Sequence, residues 1–112
     1  MDPADLKAVA VALANWKKSN TQRKRVAIVT HGGEPVYVSV GGEAVQEFPV
    51  PQLTKEQIVD TNGAGDAFVG GFLSQLYNDA PLEQCVSAGI YLSGQVVQRS
   101  GCTFPAEMTW KA

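Results

Sequence analysis

Apolar positions recur along this chain with a helical period at its start and again over its second half. Leu6, Val9, Ala10, Leu13 and Trp16 fall three or four residues apart, which predicts one apolar face on a helix over residues 4–18. Asp2 or Asp5 can cap its start, and Pro3 is tolerated in the opening turn. Val26–Thr30 is a short β-branched run, the pattern of a buried central strand over 26–30. It stops at the turn His31-Gly32-Gly33. Residues 36–40 predict a second strand, Gly41-Gly42 a second turn, and residues 44–48 a third, weaker strand, the later strands antiparallel. Pro49-Val50-Pro51 ends the strand region.

Helical spacing then returns. Ala67, Phe68, Gly71 and Phe72 predict a helix over about 63–77, stopped by Asn78-Asp79-Ala80-Pro81. The next helix, 82–98, is apolar on most faces: Leu82, Cys85, Val86, Ala88, Ile90, Leu92, Val96 and Val97. A helix of that kind expects burial. Arg99-Ser100-Gly101-Cys102 ends it, and Thr103–Ala112 reads mostly as loop. Strands and helices in this proportion predict an α/β fold.

Composition narrows the picture. The 112 residues suit one domain, and 45% hydrophobic with 18% charged residues is a globular balance. A net charge of −2 and a pI near 5.2 give no reason to expect nucleic acid or an anionic membrane as partner. Lys17–Arg25, KKSNTQRKR, has five basic residues in nine and reads as a solvated helix end with its loop. No apolar run approaches the ~20 residues that span a bilayer. MDPADLKAV lacks a basic-then-apolar leader pattern, so the expected compartment is the cytoplasm, with the nucleus as a second site. Cys85 and Cys102 lack metal-ligand spacing and read as reduced, structural thiols. His31, the one histidine, has no second ligand at metal spacing and reads as a structural or surface residue.

The chemistry concentrates in Val59–Leu73, VDTNGAGDAFVGGFL. Asn62-Gly63-Ala64-Gly65 is a run of small residues opening a helix, on which a ligand can sit close to the main chain. The first N–H groups of that helix lack intrahelical partners and face outward with the positive end of its dipole, an arrangement suited to phosphate. Asp66 falls in the first turn, placed to take a proton from a hydroxyl while the amides hold the acceptor's charge.

The spacing D-T-N-G-A-G-D-A-F-V-G-G resembles the C-terminal signature of the ribokinase-like (pfkB) carbohydrate and nucleoside kinases. Asn62 in the loop, the AFVGGFL that follows and RSGCTFP at Arg99–Pro105 are most like the members that phosphorylate adenosine. The shared core also leaves open a sugar or other nucleoside as substrate, or a nucleotide-binding module without catalysis. The resemblance implies that residues 1–112 are the C-terminal, ATP-binding and catalytic-base portion of a three-layer, Rossmann-like α/β fold. The substrate pocket and lid would lie upstream, and the remainder of the kinase chain would be a partner. It implies Asp66 as general base and the amides of Gly63, Ala64 and Gly65 as anion hole. Thr30 and Gly32 would touch the ATP phosphates, and Lys55 and Asn62 the nucleotide. Asp60 and the Asn62 carbonyl would hold a monovalent cation, K+, and Mg2+ would arrive with ATP. ATP and adenosine would be the small-molecule partners. The chain holds too few strands for the family's sheet, and with the family's Mg-positioning motif, nucleoside pocket and lid upstream it is expected to be inactive by itself.

Overall fold

The computed structural model describes residues 2–111 and separates them into two compact units, Met1–Gln52 and Leu53–Ala112. The first unit is a helix on a three-stranded sheet. The helix, α1 (Pro3–Ala14), starts where the Asp2 carboxylate accepts the Asp5 N–H at 3.1 Å, with Pro3 in the first turn. It ends at Ala14 rather than residue 18. Arg25 explains the early stop: its guanidinium donates to the carbonyls of Leu13 (3.2 Å) and Trp16 (2.7 Å), pairing terminal acceptors that a longer helix would have used.

The buried face of α1 also differs from the predicted one. Leu6, Ala10 and Ala14 are buried, whereas Val9, Leu13 and Trp16 are exposed, Trp16 to 70%. Leu6 and Ala10 pack on Tyr37, with Val29 and Val45 at the margin. The bulky tyrosine ring is matched by small alanines, so the helix turns that side inward. Lys7 closes the cluster, lying 5.6 Å over the Tyr37 ring and pairing with Glu47.

Strands β1 (Val26–His31), β2 (Glu34–Val40) and β3 (Gln46–Phe48) form an antiparallel sheet in the order β1-β2-β3. The centre is therefore β2, not the 26–30 run that the sequence predicted as central. Val36, Tyr37, Val38 and Ser39 are all buried, because β2 pairs on both edges, while Val26 on the outer strand is 42% exposed. A short apolar run rich in β-branched residues marks apolar surroundings but not position in the sheet. The register shifts between Val29 and His31, leaving Thr30 at an irregularity. A two-residue loop, Gly32-Gly33, then joins β1 to β2, with Gly32 at φ +54°.

The second unit is a helix pair, α2 (Ala64–Leu76) and α3 (Leu82–Val97), each within about one residue of its predicted limits. Ala67, Phe68 and Gly71 of α2 are buried, with Cys85, Val86, Ala88, Gly89 and Val96 of α3. Along α3 only Glu83 and Ser87 are exposed, as its apolar character predicts. The other side of α2 carries exposed Val69, Leu73 and Leu76. The tail returns along α3: Tyr91 Oη accepts the Thr109 N–H at 3.0 Å, and the Trp110 indole donates to Ser87 at 3.1 Å. Among the described residues, no helix is long and apolar enough to cross a membrane.

Candidate active site

The site is built where the segment before α2 meets the turn after α3. Two successive amides, Val59 and Asp60, donate to the Val97 carbonyl at 2.7 and 3.1 Å, so one terminal acceptor of α3 anchors the incoming strand of chain. The chain then turns, with Ala64 N–H donating to Thr61 O at 3.3 Å. Gly63 caps α2 with φ +82° and ψ −1°, the left-handed region that suits glycine. Its carbonyl accepts the Ala67 N–H at 2.9 Å and begins the helix.

Helix geometry leaves specific donors over. Among the described residues, the N–H groups of Gly65 and Asp66 have no hydrogen-bond partner, whereas that of Ala64 is engaged by Thr61. Both free amides lie in the exposed first turn of α2, and the Asp66 carboxylate is exposed beside them. A positive helix end with two unpaired N–H groups and an adjacent base can hold a phosphate-like anion and take a proton next to it.

Asp60 is partly buried and ties this loop together. One carboxylate oxygen accepts the Asn62 N–H at 2.9 Å, and the other accepts the Gly101 N–H at 3.2 Å. Both oxygens are thus committed to backbone donors, the pattern of an internal bridge. Each Asp60 oxygen keeps a second acceptor position beyond these bonds. Among the described residues, no group of three His, Cys, Asp or Glu side chains is placed to hold a metal ion.

Three further predicted residues belong to other turns of the chain. Thr30 and Gly32 are exposed at the β1–β2 turn of the first unit. Gln52 braces that turn, its amide donating to Gly33 O at 2.9 Å. Lys55 sits in an exposed turn held by reciprocal bonds between Thr54 and Gln57, at 2.7 and 3.2 Å. The sequence reading missed Cys102. Its thiol is exposed, not structural, and lies so close to Gly63 that a Cβ there would stand 2.6 Å from Sγ. Its closeness to the motif loop joins two stretches, RSGC and NGAG, that stand as separate words in the sequence.

The chain matches the pfkB family of carbohydrate kinases over residues 3–109. It belongs to that family. Adenosine kinase 1 of Arabidopsis thaliana is 50% identical over 101 residues, which is 90% of this chain and 29% of that protein. The crystal structure of Anopheles gambiae adenosine kinase in complex with P1,P4-di(adenosine-5) tetraphosphate superposes with a TM-score of 0.87 at 47% identity, over 95% of this chain and 31% of that one. Adenosine kinase from Schistosoma mansoni in complex with 2-fluoroadenosine superposes at 0.82 with 31% identity, over 88% of this chain and 29% of that one. This pfkB-family chain therefore spans less than a third of the length of these relatives. Its α/β architecture is a partial ribokinase-like fold.

Proposed function

We propose that this chain is the ATP-binding and catalytic-base portion of an adenosine kinase, which transfers the γ-phosphate of ATP to the 5′-hydroxyl of adenosine and gives AMP and ADP. The observation that carries this reading is the start of α2, where Gly65 and Asp66 offer unpaired N–H groups beside the exposed Asp66 carboxylate. The similarity to adenosine kinases along nearly the whole chain supports adenosine as acceptor.

Asp66 takes the proton of the attacking hydroxyl. The N–H groups of Gly65 and Asp66, with that of Gly63, receive the negative charge of the transferring phosphoryl group. Thr30 and Gly32 contact the ATP phosphates, and Lys55 and Asn62 lie along the nucleotide. Mg2+ would arrive with ATP and would supply charge neutralisation at the phosphates. The nucleoside pocket and lid belong to the remainder of the kinase. That remainder would also cover the unpaired edge of β1 and the Val69, Leu73 and Leu76 face of α2. The compartment we assign is the cytoplasm, with the nucleus as a second site.

The test is Asp66→Asn in the complete kinase. Asparagine keeps the size of the side chain but cannot accept the substrate proton. Turnover of adenosine should fall by ~10²–10⁴ with ATP binding largely retained. A carboxylate that only stabilised the helix start would contribute about 0.3–1 kcal/mol and leave turnover nearly intact. Near-normal kcat with a lowered Tm would overturn the catalytic role.

A further inference from the structure

We propose that Asp60 is a positioning residue that fastens the turn after α3 to the loop before α2 and thereby aims the anion-binding amides. This inference rests on the kinase reading above. Its carboxylate joins two backbone donors, Asn62 and Gly101, that lie far apart in sequence. The Asn62 side of the bridge sets the peptide leading into Gly63. The Gly101 side holds a turn whose next residue, Cys102, rests on Gly63 itself. Gly101 adopts φ +72°, the left-handed geometry in which its N–H meets Asp60.

Two further bonds set the frame. Val59 and Asp60 already hang from the Val97 carbonyl, so the carboxylate is the third fastening between the segments and the one that reaches past the end of α3. Removing it frees Gly101 and Asn62 together. The Gly65 and Asp66 amides follow directly on that loop, so their direction relative to a bound phosphate depends on the bridge. Small misplacements of such donors weaken binding disproportionately.

The test compares wild type with Asp60→Asn in the complete protein. Asparagine offers one acceptor and one donor where two acceptors are required, so one N–H loses its partner. Amide hydrogen exchange, measured without nucleotide, should quicken at the hydrogen-bonded amides of Asn62, Ala64 and Gly101. The KM for ATP should rise about 10–100-fold, the loss expected for a hydrogen bond to a charged acceptor, with the KM for adenosine unchanged. The rise should persist at every KCl concentration.

Unchanged exchange and unchanged KM for ATP would overturn the proposal. So would restoration of the variant by KCl, since Asp60 would then act through a cation. Should Asp60→Asn fail to fold, a KCl titration of the wild type decides. Gly101 and Asn62 amide resonances that stay in place support the bridge, and a shift that frees them refutes it. Wild type that does not phosphorylate adenosine would instead refute the kinase reading and leave the exchange comparison interpretable.

Discussion

A methyl group on Gly71 would stand 2.5 Å from the carbonyl oxygen of Ala88. The reciprocal contact is similar, since a Cβ on Gly89 would meet the Phe68 carbonyl at 2.9 Å. The two helices therefore approach main chain to main chain at these glycines, beside the buried side chains of Phe68, Cys85 and Val86.

Gly71→Ala should destabilise the protein although alanine is the better helix former. The propensity gain is about 1 kcal/mol. Overpacking costs about 1–3 kcal/mol, and a backbone carbonyl, unlike a side chain, cannot rotate away. Gly70 is the control: a Cβ there meets nothing within 4 Å, so Gly70→Ala should stabilise by roughly 0.5–1 kcal/mol. Urea midpoints of the two variants should move in opposite directions. A rise in both would contradict the close approach.

Gly63→Ala should be unfavourable for two separable reasons. The left-handed φ of +82° disfavours any L residue by roughly 1–2 kcal/mol, and the new Cβ meets Cys102 Sγ. Adding Cys102→Ala removes the second reason and leaves the first. Melting temperatures of the wild type, both single variants and the double variant should show partial rescue. Full rescue would mean that Gly63 does not need its left-handed backbone.

The two cysteines should react differently. Cys85 is fully buried, and burial pushes its thiol above the ordinary range, which keeps it protonated and unreactive at neutral pH. Cys102 is exposed beside Gly63. Iodoacetamide should label Cys102 in the native protein and Cys85 only after denaturation, as read by peptide mass spectrometry. ATP should slow labelling of Cys102 in the complete kinase. Equal labelling of both under native conditions would show that α3 is not packed as described.

The two later helices were legible because their signals are local and agree with one another. Small residues at 62–65, the spacing of Ala67, Phe68 and Gly71, and the Asn78–Pro81 break each point to the same boundaries. The helix over 4–18 was legible in kind but not in extent. Its end depends on Arg25, which reaches back from another segment to the carbonyls of Leu13 and Trp16. Its inward face depends on Tyr37, which the period of the helix does not contain.

The sequence by itself determined the chemical inventory: a glycine-rich helix start, the aspartate in its first turn and the wording that marks a pfkB-family kinase. Those properties reside in consecutive residues, where backbone preference and spacing act over a few positions. Tertiary structure alone decided that β2, not β1, is the middle strand, because strand order depends on which edges pair. It alone set Gly71 against Ala88 and Cys102 against Gly63. It alone gave both oxygens of Asp60 to Asn62 and Gly101, because a carboxylate takes whichever donors the fold brings within reach.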